Sequence, residues 1–390
     1  MHAPWGMSML PMNQKPQTGT PDLGSPSLHI GDPLPPGRAS RASLPKGSDK
    51  GTGGELPWLA LAPMQDVTDL GFWEVLDRHG VADLYYTEYF RVYAGSHIDR
   101  TILASITRSA GKRPVVAQLI GNSIPDLVRT AWGLQQHPVV AIDFNLGCPA
   151  PVVYRKCAGG GLLRDLPRVD AILGALREAV RIPLTVKTRI GFASADGFEE
   201  LLAVLGRHSL DWVAVHGRTV QQLYGGEVRY DLIAQAVAAL PCPVLANGNV
   251  SSPAKAVEVL RQTGARGVMI GRGAIRNPWL FAQIRQALQG QPISRPRGRD
   301  VLGYVRELYD RTRPPGLRES AQVRKMKKYL NYLGLGVEPT GGFLQAMRRV
   351  RTEVELFDLC ERYLAHDRPM PLEPYDLGLK ATDLLAGSHG

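Results

Sequence analysis

Residues 141–190 contain the strand-helix-strand pattern that decides the fold: AIDFNLG at 141–147, an amphipathic segment at 165–180 and LTVKTRI at 184–190. The two seven-residue runs are apolar and rich in β-forming residues, whereas apolar positions in the segment between them recur with helical spacing. Similar runs continue in both directions along the chain. The eight runs are WLALAPM (Trp58–Met64), LYYTEYF (Leu84–Phe90), VVAQLIG (Val115–Gly121), AIDFNLG (Ala141–Gly147), LTVKTRI (Leu184–Ile190), WVAVHGR (Trp212–Arg218), VLANGNV (Val244–Val250) and GVMIGRG (Gly267–Gly273).

The spacing of these runs favours a closed barrel. Their first residues are separated by 23 to 43 positions, which is the length of a strand, a crossover helix and two loops. Eight repeats over about 230 residues predict an α/β fold of the (β/α)8 TIM-barrel type rather than an open doubly wound sheet. No GxGxxG motif follows the first run, as a dinucleotide-binding half would require.

The rest of the chain divides around this pattern. Residues 1–56 hold nine of the 30 prolines and no periodic apolar pattern, so we expect a disordered tail. Residues 57–290 form the predicted barrel. Residues 295–372 lack strand patterns and predict a small all-helical domain, followed by a tail at 373–390. Its predicted helices are Asp300–Arg311, Glu319–Leu333 and Gly342–Tyr363.

Positive charge is concentrated in the predicted helical domain. The chain has 46 Lys and Arg against 36 Asp and Glu, a net charge of +10. Residues 295–351 alone hold 14 basic and 5 acidic residues, which leaves a local charge of +9. A cluster of this kind is either a solvated helical surface or a binding surface for a polyanion such as nucleic acid.

Several classes of protein are disfavoured by the sequence. Four cysteines without a CxxC motif predict neither a disulfide scaffold nor a structural zinc site, and we expect no metal. No apolar run reaches 18 residues and no signal peptide is evident, so we expect a cytoplasmic protein without membrane contact. The cysteines are Cys148, Cys157, Cys242 and Cys360.

Polar residues stand at the carboxyl end of all eight runs, where barrels of this type gather their active sites. A glycine-rich pair, residues 246–249 and 271–273, follows the seventh and eighth runs and predicts a phosphate site with Arg272 as counter-charge. The polar residues are Gln65, Glu88, Gln118, Asn145, Cys148, Lys187, Arg189, His216, Arg218, Asn247, Asn249 and Arg272.

Two of these residues indicate redox and proton chemistry. Lys187 lies inside an apolar run, where an ammonium needs an anionic or carbonyl partner. That partner is either a neighbouring carboxylate or the negative charge that a reduced flavin develops near N1–C2=O. Cys148 lies at a loop mouth, and a thiol there is mostly protonated at neutral pH and can act as an acid or as a nucleophile.

These residues together resemble the tRNA-dihydrouridine synthase family over about residues 57–285. Its most specific element is the NxGCP sequence with the glycine-rich stretch after it, at 143–163. The matching segments are LAPMQDVTD (61–69), YYTEYF (85–90), AQLIGN (117–122), DFNLGCPAPVVYRKCAGGGLL (143–163), VKTRIGF (186–192), VHGRT (215–219), ANGNV (246–250) and GRGA (271–274). A looser match lies at 323–325.

The resemblance implies an FMN enzyme that reduces the C5–C6 double bond of particular tRNA uridines, with NADPH or NADH as reductant. It implies Cys148 as the general acid that protonates C5. The implied FMN contacts are Pro63, Met64, Gln65, Gln118, Lys187, His216, Asn247, Gly248, Asn249, Gly271 and Arg272. The implied tRNA contacts are Asn145, Arg189, Arg218, Arg324, Lys325, Lys327 and Lys328. We expect a monomer.

The chain departs from the family pattern at two positions. Asn249 stands where many relatives have an acidic residue, and Met326 where a histidine is expected. Two alternative functions remain open at this stage. One is a small-molecule FMN pyrimidine oxidoreductase of the dihydroorotate or dihydropyrimidine dehydrogenase kind, which needs no basic helical domain. The other is a non-catalytic RNA-binding protein on a barrel scaffold.

Overall fold

A closed parallel β-barrel forms the body of the molecule in the computed structural model, which describes residues 56–378. The predicted tail 1–56 therefore lies outside the described residues except for its last position. Around the barrel the strands run in the order β2-β1-β9-β8-β7-β6-β5-β4-β3, and a β2–β4 pairing closes it. The strands are β1 (Trp58–Leu61), β2 (Leu84–Tyr86), β3 (Phe90–Val92), β4 (Val115–Gly121), β5 (Ala141–Leu146), β6 (Leu184–Arg189), β7 (Trp212–His216), β8 (Val244–Asn247) and β9 (Gly267–Ile270).

Helices surround the barrel and form the helical region after it. In residues 56–378 they are α1 (Leu70–His79), α2 (Arg100–Arg108), α3 (Ile124–Leu134), α4 (Pro151–Tyr154), α5 (Leu166–Ala179), α6 (Phe198–Gly206), α7 (Tyr230–Ala239), α8 (Pro253–Thr263), α9 (Arg272–Arg276), α10 (Leu280–Leu288), α11 (Gly298–Arg311), α12 (Glu319–Leu333), α13 (Gly342–Met347) and α14 (Glu353–Leu364). Two 3-10 helices span Gly159–Arg164 and Gly334–Gly336. The predicted TIM barrel and helical carboxyl-terminal region are both confirmed. Among the described residues no helix is both long and apolar enough to cross a membrane.

The second predicted run is two short strands rather than one, β2 and β3. The hydroxyl oxygen of Thr87, between them, accepts the backbone N–H of Gln118 over 3.0 Å. A side chain thus takes the place of the backbone partner that a continuous strand would supply. β2 pairs with β1 and β4, and β3 continues along β4, so the two strands share one of eight positions in the barrel.

A helix predicted in the carboxyl-terminal region is likewise divided into two in the structure. The segment predicted as Gly342–Tyr363 forms α13 and α14 with a break at residues 348–352. Thr352 starts α14 by accepting the N–H of Glu355, whose carboxylate accepts the N–H of Arg351 and Thr352 in return. This reciprocal capping box sets a helix start inside an otherwise continuous helical pattern.

Aromatic side chains close the amino-terminal end of the barrel lumen. Trp58 and Trp212 meet edge to face with ring centroids 5.8 Å apart, and Trp212 Nε1–H donates to the Tyr86 hydroxyl over 2.6 Å. All three residues are buried. The polar ends of the strands therefore face solvent only at the opposite end, which we call the barrel mouth.

The helical region packs directly on the barrel. The Tyr329 hydroxyl on α12 donates to the carbonyl of Val67 over 2.8 Å, and the Tyr329 ring stacks on Phe72 of α1. Gly71 shows how close this contact is, because a Cβ there would lie 2.4 Å from the Arg311 carbonyl oxygen. The barrel and the helical region share one continuous apolar core.

Candidate active site

A chain of hydrogen bonds joins three neighbouring strands at the barrel mouth. Gln118 on β4 lies beside Asp143 on β5, and Asp143 beside Thr185 on β6. Gln118 Nε2 and the Thr185 hydroxyl donate to the two Asp143 oxygens over 2.7 and 2.6 Å. Asn145 Nδ2 donates to Gln118 Oε1 over 2.7 Å. Burial raises the pKa of Asp143 to about 6. Asp143 is not among the residues predicted from the sequence, although an acidic residue inside the apolar run AIDFNLG is a usable signal.

Asn145 also shapes the turn that presents Cys148. Its Oδ1 accepts the backbone N–H of Gly147 over 3.0 Å and of Cys148 over 2.9 Å. The glycine-rich stretch passes directly against this turn. A Cβ on Gly160 would lie 2.5 Å from Val220 Cγ2 and 2.9 Å from the Cys148 carbonyl oxygen. Only glycine therefore permits this approach, which accounts for the glycines that follow the NxGCP sequence.

The Cys148 thiol is half-buried at the mouth and remains a thiol at neutral pH. Burial raises its pKa above the ordinary value of a cysteine. The Tyr89 hydroxyl forms a side-chain hydrogen bond with it, and burial raises the pKa of Tyr89 to about 12. Sequence reasoning missed Tyr89, which lies in the break between β2 and β3. Of the other cysteines, Cys157 is exposed, and Cys242 and Cys360 are buried.

Lys187 projects from β6 into the mouth, beside Asn145 in the register of β5 and β6. Burial and then the nearby Arg189 lower its pKa to about 8, with an opposing effect of Asp143. Within residues 56–378 its ammonium has neither a hydrogen-bond partner nor an ion pair. The buried Asp143 therefore interacts with Lys187 electrostatically, but among the described residues no carboxylate lies within ion-pair distance of the ammonium.

Positive charge converges around His216 at the end of β7. Burial lowers the pKa of His216 well below its usual value, and four cations lower it further. The histidine is therefore neutral at physiological pH. The cations, in order of their effect, are Arg189, Lys187, Arg218 and Arg272. Such a concentration of positive charge is suited to an anionic ligand.

The guanidinium of Arg189 is buried and forms its hydrogen bonds within the protein. It is 2% exposed and donates to three backbone carbonyls. The acceptors are Gly147, Thr219 and Leu223, at 2.9, 2.8 and 2.7 Å. These bonds tie the Cys148 turn to the loop after β7. Arg218 plays a similar part, since its guanidinium donates to the carbonyls of Gly225 and Gly226.

The carboxyl ends of β8 and β9, and the segments after them, are held together by amide side chains. Asn247 Nδ2 donates to the Met269 carbonyl over 2.7 Å. Asn249 Oδ1 accepts from both Arg218 Nη1 and Arg272 Nη2, each over 3.3 Å. Two guanidinium groups thus meet at one neutral oxygen, which leaves their positive charge uncompensated by Asn249.

Two glycines line the space between these segments. Gly248 has φ +128°, and a Cβ there would lie 3.1 Å from His216 Cδ2. A Cβ on Gly271 would lie 3.0 Å from the Met64 sulfur. Met64 belongs to residues 62–69, which we call the β1 loop. The β1 loop and the segment after β9 therefore face each other closely across the mouth.

Gln65 in the β1 loop and Glu88, which lies between β2 and β3, meet at the barrel mouth and leave side-chain oxygens without hydrogen bonds. Gln65 Nε2 donates to Glu88 Oε2 over 3.4 Å, while Gln65 Oε1 and Glu88 Oε1 are inaccessible to solvent and have no partner among the described residues. Burial, with the charges of Asp69 and Asp66, raises the pKa of Glu88 to about 7. Pro63, also predicted as a cofactor contact, is half-buried in the same loop.

The family model described as dihydrouridine synthase matches residues 60–366 of this chain. The chain belongs to the dihydrouridine synthase family. The resemblance inferred from the sequence is thereby confirmed.

Curated relatives agree with this assignment. tRNA-dihydrouridine synthase B from Xanthomonas axonopodis pv. citri is 34% identical over 303 residues, which cover 76% of this chain and 89% of the relative. A probable tRNA-dihydrouridine synthase from Rickettsia prowazekii is 35% identical, over 64% of this chain and 77% of the relative. tRNA-dihydrouridine synthase B from Pseudomonas syringae pv. tomato is 36% identical, over 59% of this chain and 68% of the relative.

Two of the four basic residues predicted on α12 contact the barrel of this dihydrouridine synthase. Lys325 Nζ lies 2.7 Å from Asp69 Oδ2 and donates to the Thr312 carbonyl over 2.8 Å. Lys328 Nζ lies 3.4 Å from Asp66 Oδ2. Both lysines therefore reach the β1 loop, and α12 runs along the rim of the barrel mouth.

The other two lie on a basic surface of the helical region. Arg324 is exposed and has no ion pair within the described residues. Lys327 Nζ donates to the Arg348 carbonyl over 2.9 Å, and burial and the nearby Arg351 lower its pKa. Arg349 and Arg351 are exposed beside it. Both belong to the basic excess of residues 295–351 but are not among the RNA contacts predicted from the sequence.

Proposed function

We propose that this chain is a tRNA-dihydrouridine synthase that reduces the C5–C6 double bond of particular uridines, with FMN as cofactor and NADPH, or NADH, as reductant. The observation that carries the proposal is Cys148, a thiol kept protonated at the mouth of a barrel that also presents the unpaired Lys187. Membership of the family supplies the reaction class. A monomer working in the cytoplasm is part of the proposal.

The residues at the mouth fit FMN chemically. An unpartnered ammonium at Lys187 suits the electron-rich pyrimidine edge of a flavin, and Arg218 and Arg272 suit a phosphate. The close passages at Gly248 and Gly271 leave room where side chains would intrude. The proposed FMN contacts are Pro63, Met64, Gln65, Gln118, Lys187, His216, Asn247, Gly248, Asn249, Gly271 and Arg272.

When bound and reduced by NADPH or NADH, FMN would supply the hydride that is added to C6 of the uracil. Cys148 donates its thiol proton to C5, so that the bond order of C5–C6 falls by one and the thiolate regains a proton from solvent. Asn145 fixes the turn that carries the thiol and keeps one amide hydrogen for the uracil edge. Arg189 and Arg218 fasten the loops on either side and assist from there.

The RNA must present a single uridine to this mouth. Because a stacked base cannot reach a barrel interior, the target is drawn out of its stack while phosphate contacts orient the rest of the molecule. We propose that cations on α12 and after α13 make these contacts. They are the exposed Arg324, Arg349 and Arg351 and the half-buried Lys327. The sequence also predicts RNA contacts by Lys325 and Lys328, but both ammonium groups are engaged with the β1 loop, and the proposal does not depend on their reaching the RNA.

An absorbance spectrum of the purified protein tests this proposal. We expect flavin bands that bleach with NADPH under anaerobic conditions and recover on addition of unmodified tRNA. Recovery with a free pyrimidine but not with tRNA would instead support a small-molecule oxidoreductase, whose turnover should also resist salt. Absence of flavin bands even after FMN is supplied would refute the enzymatic assignment.

A further inference from the structure

We infer that Lys325 is a positioning residue of the cofactor site, which holds the β1 loop in the conformation that receives FMN. The inference rests on the proposed function, because it assumes that FMN lies against this loop. It assigns to a lysine of the helical region a task inside the barrel, in place of the direct RNA contact that the sequence predicts.

The contacts of Lys325 join three separate elements. Its ammonium bridges Asp69 Oδ2 at 2.7 Å and the Thr312 carbonyl at 2.8 Å, at the end of α11. The second oxygen of Asp69 accepts the N–H of Phe72 over 3.0 Å and so caps α1. One carboxylate thus ends the β1 loop, starts α1 and binds α12. The position of Asp69 therefore depends on Lys325.

The β1 loop is short enough to carry this constraint to the mouth. The Thr68 hydroxyl oxygen accepts the N–H of Met64 over 2.8 Å, and the Met64 carbonyl accepts the N–H groups of Val67 and Thr68. Asp66 has φ +58°, a conformation that costs free energy for a residue other than glycine. A loop with such strain needs fixed ends, and Lys325 holds the carboxyl-terminal one.

Neighbouring contacts from α12 act on the same loop. The Tyr329 hydroxyl donates to the Val67 carbonyl over 2.8 Å, and Lys328 Nζ lies 3.4 Å from Asp66 Oδ2. The Lys328 contact is longer than the Lys325 ion pair, and the Asp66 side chain is 65% exposed, against 31% for Asp69. Solvent therefore weakens the Lys328 pair more, and Lys325 is the principal charged fastening.

Lys325 also balances the charge beside the cofactor site. Three carboxyl groups gather here, those of Asp66, Asp69 and Glu88, and Lys325 lowers the pKa of Glu88. Without Lys325, these three carboxyl groups would have only Lys328 as a neighbouring lysine on α12. The remaining negative charge would disfavour an anionic ligand at the adjacent loop.

Flavin affinity and RNA affinity, measured separately on the full chain, test the inference. We would titrate the FMN-free protein with FMN by fluorescence quenching and a fluorescent unmodified tRNA by anisotropy. For Lys325→Met we expect the Kd for FMN to rise about five- to tenfold, since coupling within a partly buried pair is of this order. The Kd for tRNA should stay within about twofold, the additivity error of independent sites.

Two further variants make the test specific. Asp69→Asn keeps a residue that caps helices equally well but removes the charge, so it should weaken FMN binding like Lys325→Met. The double variant should be no weaker than the weaker single one, because the two side chains act as a unit. Lys325→Arg should restore part of the affinity. Arg306→Met, which breaks an exposed 2.5 Å ion pair between α11 and α14, is the matched control and should leave FMN binding unchanged.

The outcomes separate this inference from the proposed function. If Lys325→Met binds FMN like the parent while its tRNA affinity falls, Lys325 is an RNA contact and the inference is overturned. If the Lys325→Met and Asp69→Asn effects add fully, the ion pair is not the cause, which also overturns it. A parent protein that binds no FMN would refute the proposed function itself.

Discussion

Lys187 and Lys325 are both shielded lysines near the barrel mouth, but their surroundings differ. Lys187 projects from a strand and has no hydrogen-bond or ion-pair partner within the described residues, and burial lowers its pKa to about 8. Lys325 projects from a helix more than 130 residues later and has two partners, at 2.7 and 2.8 Å. The Lys187 ammonium is therefore available to a ligand, whereas the Lys325 ammonium is already bound within the protein.

The difference shows that the number of basic residues does not give the number of ligand contacts. A partly buried cation without a partner is costly unless a ligand compensates it, so its presence indicates a binding site. A cation with a carboxylate and a carbonyl gains nothing by leaving them for a hydrated phosphate. We propose that in this chain the chemistry belongs to the barrel mouth, whereas the cations of α12 are divided between holding that mouth and binding RNA.

Replacing Cys148, the proposed proton donor, tests the role of the barrel mouth and should have the largest effect. Cys148→Ala should lower the rate of tRNA reduction by about 10²–10⁴, the usual contribution of a positioned general acid. The Kd values for FMN and tRNA should not change, since the thiol is not their principal contact. Single-turnover oxidation of the reduced protein by tRNA measures the effect, with the exposed Cys157→Ala as matched control. Reduction at the parental rate would rule out Cys148 as the acid.

The partly buried carboxyl group of Glu88 predicts that the free energy of unfolding depends on pH. The pKa of Glu88 is about 7 in the folded protein, above its ordinary value of 4.5, so the folded state binds the proton more tightly. This raised pKa makes stability fall as pH rises from about 4.5 through 7, by at most about 3 kcal/mol. Glu88→Gln should remove that loss. Urea unfolding at pH 5 and pH 8 measures it, and parallel pH dependence in parent and variant would contradict the assignment.

The basic surface of the helical region should show the opposite behaviour to the mouth. Arg349→Ala with Arg351→Ala should weaken tRNA binding about tenfold and reduce the slope of log K against log salt by about 2, one for each lost phosphate contact. FMN binding and NADPH oxidation should not change. Anisotropy at several salt concentrations is the measurement. An unchanged slope would place the RNA elsewhere on the protein.

The sequence predicts what depends on local periodicity. A residue such as Asn145 or His216 was found because polar side chains at strand ends must lie at one end of a parallel barrel. The partners of Lys325 were not predictable, because Asp69 stands 256 residues earlier and no pattern joins them. Tyr89 was missed for a related reason, since the break between β2 and β3 depends on a hydroxyl of Thr87 that bonds to a neighbouring strand.

The break between α13 and α14 offers the mildest test, in the region where the helix prediction was wrong. Thr352→Ala removes the hydroxyl that accepts the Glu355 N–H over 3.2 Å, and should lower the free energy of unfolding by about 1 kcal/mol. Thr352→Ser keeps the hydroxyl and should lower the free energy of unfolding by at most a few tenths of about 1 kcal/mol. Urea unfolding compares the two. Because the cap orders the chain next to Arg351, the alanine variant should also weaken tRNA binding slightly while leaving FMN binding intact. Equal stability of alanine and serine variants would mean that tertiary packing, rather than the capping box, separates the two helices.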